Sequence, residues 1–158
     1  MNGCFDPLHA GHVDLIVRAK EFCDRLVVAI NSDHQVTQLK GNCAVPEAKR
    51  AETLMAIEAV NNVLTFNDHH PGRLIRELQP SIVFKGTDYA TGKPKGLLEY
   101  PDIQQVGAAL VYLPVLYIGG HKISSSDLVK NQPGGVVTEA EAEAEAERIA
   151  RLRDQVLG

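Results

Sequence analysis

Short, continuously apolar runs rich in β-branched residues constrain this chain more than any other feature. Leu26-Val27-Val28-Ala29-Ile30 is the clearest of them. A strand that is apolar at every position is buried on both faces, as in a parallel sheet. Val63-Leu64-Thr65-Phe66, Ser81-Ile82-Val83-Phe84 and Ala109-Leu110-Val111-Tyr112-Leu113 repeat the pattern. Segments of helical period lie between them. Val13, Ile16, Ala19 and Cys23 predict a helix over about 11–23, and Leu54, Ile57 and Val60 predict another from Glu47. Pro71 suits a first helical turn, with Leu74, Ile75 and Leu78 inward. Strands alternating with helices predict an α/β fold with a parallel sheet. Ligands of such sheets sit beyond the carboxyl ends of the strands. That directs attention to Asp33, to Lys85 through Tyr89, and to the stretch after Leu113. Asn31-Ser32-Asp33 reads as a turn, the stretch through Lys40-Gly41 to Pro46 as a polar loop, and 87–100 as a second loop.

A chain of 158 residues suits one domain, here assigned to 1–135. Residues 136–158 read as a C-terminal helical extension. Thr138 and Glu141 fit a capping box, and Arg148, Arg151 and Arg153 crowd the far end, which complements the helix dipole. A net charge of -4 argues against a protein that coats nucleic acid. No apolar run approaches the roughly 18 residues of a membrane span. Cys4, Cys23 and Cys43 have no CxxC spacing, which argues for a reducing compartment and a cytoplasmic protein.

Chemistry concentrates in Asn2-Gly3-Cys4-Phe5-Asp6-Pro7-Leu8-His9-Ala10-Gly11-His12. Two histidines stand at the start of a helix, whose free N–H groups attract phosphate. Gly11 lets a phosphate approach the backbone. Nucleotidyl transfer needs positioning and charge stabilisation more than a covalent nucleophile. His-x-x-His alone matches a metal-ligand pair or a chance pair equally well. Zinc needs further ligands, and no second Cys/His cluster has suitable spacing. His69-His70 is a bare pair in a loop. No protein side chains are assigned to a metal.

The whole string resembles the signature of the cytidylyltransferase-like nucleotidyltransferases. Asn31-Ser32-Asp33, Leu39-Lys40-Gly41 and Arg50 resemble, in order, the adenylyltransferase domain of bacterial heptose-phosphate enzymes. So do Arg73 through Pro80 and Lys85-Gly86-x-Asp88-Tyr89. Ile123-Ser124-Ser125-Ser126 resembles the family's Ile-Ser-Thr-Thr signature. The resemblance implies a Rossmann-like sheet with flanking helices. It also implies transfer of a nucleoside monophosphate from ATP to a sugar phosphate such as heptose 1-phosphate, with magnesium and release of pyrophosphate. A cytidylyltransferase using CTP and glycerol 3-phosphate or another polyol phosphate is the alternative within the fold. A nucleotide-binding or assembly protein without turnover is the alternative of another class.

The resemblance implies catalytic roles for His9, His12 and Lys40. It implies nucleotide contacts from Gly3, Phe5, His9, Gly11, His12, Arg50, Lys85, Gly86, Asp88, Ile123, Ser124 and Ser125. Asp6 and Asp33 are the acceptor-side candidates, with bracing of the His loop as the other role for Asp6. A homodimer is expected from the family alone. The family has an apolar strand before Asn-Gly-Cys-Phe-Asp, whereas Met1 is followed here at once by Asn2. The first, central strand is therefore expected to be almost absent, with a native chain that starts upstream.

Overall fold

The computed structural model describes residues 1–90, 97–118 and 120–125, which belong to one compact unit, Met1–Ser125. The expected boundary at 135/136 and the C-terminal helix lie outside the described residues. In chain order the elements are β1 (Asn2–Gly3), α1 (Ala10–Lys20), β2 (Val27–Asn31), α2 (Asp33–Lys40), α3 (Glu47–Met55) and β3 (Asn62–Phe66). Then come α4 (Gly72–Leu78), β4 (Ile82–Gly86), a 3-10 turn (Thr87–Tyr89), α5 (Tyr100–Gln105), β5 (Ala109–Leu113), β6 (Tyr117–Ile118) and β7 (His121–Lys122).

The four apolar runs are strands, and all pair in parallel. β1, β2 and β3 form one sheet in that order, with Asn2 opposite Ala29 and Val28 opposite Val63. β4 and β5 form a second, with Phe84 opposite Val111. Helices lie between the strands, so the fold is α/β and Rossmann-like. β1 is short, as expected. Met1 prolongs its pairing: its amine donates to Val27 O at 3.0 Å, and Ala29 N donates to Met1 O at 2.9 Å. No strand ladder joins β1 to β4 among the described residues. A small cavity of about 60 Å³, lined by Met1, Val27, Ala29, Ile75 and Val83 among others, lies there instead.

Ile16 and Ala19 of α1, Val28 and Ile30 of β2, and Leu54 of α3 are fully buried in one core, with Phe84 and Leu113 beside them. That matches the apolar stripes read from periodicity. Ile75, Val83 and Ile103 form a smaller cluster under α4 and α5.

Two helices depart from the expected loops. α2 occupies what reads as a turn and part of a loop. Its only buried residue is Val36, too little for a periodic signal. Ser32 starts it, accepting from Gln35 N at 3.2 Å, and Gly41 ends it at φ 81°. α5 is six residues long, too short to show a period, although Ile103 is buried.

Candidate active site

β1 runs into the loop that carries the histidines, and that loop is braced from within. The Asp6 carboxylate is buried and accepts from Ala44 N at 3.0 Å and Val45 N at 2.7 Å. Both of its oxygens are therefore committed to the segment between α2 and α3. This favours bracing over the expected acceptor contact. Lys40, exposed at the end of α2, donates from Nζ to Asp6 O at 2.8 Å. The loop thus holds both its neighbouring segment and the catalytic lysine candidate.

His9 caps α1 with an extended backbone, and its carbonyl accepts from His12 N at 2.9 Å. The two imidazoles stack, with centroids 3.7 Å apart and planes 20° apart. Phe5 meets His12 edge-on at 4.8 Å and is itself part of the core, at φ 50°. Phe5 thus supports the His12 ring from the core side. Gly11 leaves room beside the pair. A Cβ there would stand 3.0 Å and 3.1 Å from His9 ring atoms.

Burial, then the charges of Lys40 and Lys122, lowers His9 to about 4. Burial, then His9, Lys40 and Lys122, lowers His12 to about 3. Both rings are consequently neutral at pH 7, and each offers a single N–H. The Nδ1 atoms of both are buried with no hydrogen-bond partner. Unpaired buried nitrogens beside a helix start are costly unless function uses the site.

Arg50 is spent on backbone. Its guanidinium donates to Cys4 O, Asn31 O and Val45 O, each at 2.8 Å, and pairs with Asp33 Oδ1 at 2.8 Å. It is 2% exposed and holds strand ends together, while the resemblance implies a nucleotide contact for it. Asp33 also accepts from Glu47 N at 2.7 Å and Cys43 Sγ at 3.2 Å. The bond from Arg50 leads the causes that lower its pKa. Its side chain is 46% exposed, and it keeps a face toward solvent at the end of β2.

Lys85 is also taken. It forms a buried ion pair with Glu99 and donates to Asn2 Oδ1 at 2.7 Å. Glu99 was not anticipated, since it sits in a stretch without motif or period. Gly86 is packed tightly: a Cβ there would stand 2.4 Å from Asp88 Oδ1 and 2.9 Å from Val115 Cγ1. Asp88 pairs with Lys122 at 2.5 Å. Ser125 is buried and donates to Pro7 O at 2.8 Å, which ties the second signature to the His loop. Ile123 lies 3.7 Å from the Cβ position of Gly11. Gly3 is half-buried beside the Phe5 ring, and Ser124 is half-buried next to Ser125. His69 and His70 lie apart from these residues, before α4, where His70 faces Asp102 at 3.9 Å.

The chemistry therefore gathers around two stacked, neutral imidazoles at the start of a helix, with a lysine from α2 at one side. The cytidylyltransferase-like family profile matches residues 1–131. The chain belongs to the cytidylyltransferase-like family. It is 44% identical over 117 residues to the bifunctional protein HldE of Koribacter versatilis (strain Ellin345), covering 73% of this chain and 24% of that one. It is 50% identical over 90 residues to the bifunctional protein HldE of Rhodopseudomonas palustris (strain BisA53), covering 56% of this chain and 18% of that one. The chain thus spans about a quarter or less of these curated relatives. The crystal structure of the lipopolysaccharide core biosynthesis protein from Thermoplasma volcanium GSS1 shares the fold, with a TM-score of 0.56 and 21% identity. That match covers 74% of this chain and 93% of that one. Among the described residues no helix is long and apolar enough to cross a membrane.

Proposed function

We propose that this domain transfers adenylate from ATP to a sugar phosphate such as heptose 1-phosphate, releasing pyrophosphate. The observation that carries the reading is the stacked His9–His12 pair at the start of α1, with Lys40 beside it. Family membership and the similarity to the HldE proteins support it. So do the three free thiols, which suit a reducing cytoplasm.

His12 N and Val13 N already donate to His9 O. Among the described residues the amides of Ala10 and Gly11, at the front of α1, meet no acceptor. They attract phosphate, and Gly11 has no side chain to obstruct it. The neutral imidazoles add directed N–H donors without first having to lose charge. Lys40 exchanges the Asp6 carbonyl for a phosphate oxygen; its ammonium and long flexible stem suit that exchange. An oxygen of the acceptor's phosphate then attacks the α-phosphorus in line. The bond from that phosphorus to the bridging oxygen breaks, and pyrophosphate leaves with the electron pair. No base is needed, because the attacking phosphate is already an anion. Asp33, at the end of β2, is the acceptor-side contact, held in register by Arg50.

Magnesium neutralises triphosphates in such transfers. Among the described residues no three His, Cys, Asp or Glu side chains stand together to hold a metal. Its ligands would therefore come chiefly from the triphosphate oxygens.

The test is pyrophosphate release from ATP and from CTP, with magnesium, against a panel of sugar and polyol phosphates. ATP with a heptose 1-phosphate or a related sugar phosphate is expected to react. CTP with a polyol phosphate would replace the reading with its sister activity. His12→Ala, confirmed folded by circular dichroism, is expected to lose about 100- to 1,000-fold in turnover. Unchanged turnover in that variant would remove His12 from the mechanism.

A further inference from the structure

A second lysine, Lys122, stands on a hairpin that no assigned role explains, one residue before Ile123, which abuts Gly11. β6 and β7 pair antiparallel, with Tyr117 opposite Lys122 and Ile118 opposite His121. The base of this hairpin is tied down at several points. Ile123 N donates to Leu116 O at 3.5 Å, and Val115 N donates to Thr87 Oγ1 at 3.3 Å. Just beyond, Ile123 packs over Gly11, and Ser125 bonds to Pro7 O. Lys122 thus leaves the chain one residue before the contact with the first turn of α1. Its charge is felt at both His9 and His12.

We propose that Lys122 contacts the polyphosphate of the bound nucleotide, and that its pairing with Asp88 is a parking position in the free protein. This rests on the transfer reading of the site. The Asp88 carboxylate lies close over Gly86 at the end of β4, on a short side chain, whereas Lys122 has a long flexible stem. Lys122 is the partner free to move. The two side chains are 40% and 30% exposed, and such pairs contribute little stability. A triphosphate carries several negative charges where Asp88 offers one, so a modest swing exchanges a weak partner for a stronger one. Lys40 has the same arrangement, exposed and resting on a carbonyl oxygen. Lys85 does not, since it is buried against Glu99. The site therefore has two exposed lysines resting on exchangeable oxygens and one buried lysine locked on Glu99.

The test is calorimetric binding of inorganic tripolyphosphate at low salt, followed by ATP kinetics. Lys122→Ala is expected to weaken tripolyphosphate binding about tenfold and to raise KM for ATP more than it lowers kcat. Lys122→Arg should recover most of the binding. Asp88→Asn should bind as tightly as the native protein or more tightly, because the parked state loses its partner. Lys49→Ala, which removes an exposed lysine paired on α3, should stay within about twofold of native and so exclude a general charge effect. A Lys122→Ala variant that binds within twofold of native, or a Lys49→Ala variant that falls equally, overturns the proposal while leaving the transfer reading intact. Native protein that neither binds tripolyphosphate nor releases pyrophosphate overturns both.

Discussion

On the β1–β3 side of the site, polar side chains grip mainly backbone; on the β4–β5 side, they grip one another. Asp6 holds two amides, Arg50 holds three carbonyls, and Asp33 caps the start of α3. Backbone partners cannot swing away, so this side is a fixed frame for His9 and His12. The other side is held by Lys85 on Glu99 and by Lys122 on Asp88. These two pairs differ most in exposure, and exposure decides what each can do. The buried pair cannot separate without stranding a charge, whereas the exposed one can exchange partners at little cost. A site for a highly charged anion gains from having both a rigid wall and a wall with a movable cation.

The largest expected effect breaks the buried pair. Lys85→Met leaves Glu99 without its cation and Asn2 without its donor, and should cost about 3–5 kcal/mol of stability in urea unfolding. Adding Glu99→Leu should return most of that, because a well-packed apolar pair avoids the desolvation cost. A single variant as stable as native would show that the β4 wall does not depend on this pair. The contrast between the two sides would then collapse.

Asp6→Asn probes the frame at a smaller scale. One oxygen remains to accept an amide, while the charge and the second acceptor are lost, so a cost of about 1–2 kcal/mol is expected. The segment that connects α2 to α3 would loosen and carry Lys40 with it. Turnover should consequently fall more than KM for the sugar phosphate rises. A rise confined to that KM would instead place Asp6 on the acceptor.

Much of this was legible in the sequence because burial writes itself into period. The strands around Val28, Leu64, Val83 and Val111 and the inward stripe of α1 follow from apolar spacing alone. The His loop was legible because a helix start, a glycine and two imidazoles stand within a few residues. The partners of the charged residues were not legible. Arg50 and Lys85 read as nucleotide contacts because a lone basic residue in a motif carries no sign of whether it is spent. Only the fold brings Cys4 O and Asn31 O onto one guanidinium, or Glu99 onto one ammonium. Those contacts are 14 or more residues apart in the chain and leave no local pattern. α2 escaped for a related reason: one inward residue, Val36, cannot make a stripe.

The smallest expected effect concerns the histidines themselves. Their folded values, about 4 and about 3, lie below the ordinary value of 6.5. The unfolded chain therefore takes up protons first as the pH falls. Stability contributed by the neutral rings is fully present above about pH 6.5 and declines below it, through the window down to 4 for His9 and 3 for His12. Between pH 7 and pH 6 the unfolded rings pass through the middle of their titration, while the folded rings stay neutral. Allowing for solvent screening at His9, the loss for the pair should be about 1 kcal/mol. Comparing urea midpoints of the native protein and His9→Gln/His12→Gln at both pH values isolates this contribution, since the double variant should lose correspondingly less. Bound tripolyphosphate should reverse the sign, because its charge favours the imidazolium that burial disfavours. Binding would then draw protons from the buffer, seen as a binding enthalpy that changes with the buffer's ionisation enthalpy. Equal enthalpies in all buffers would mean that the rings stay neutral when the anion is bound, so that their contribution there is through N–H donation alone.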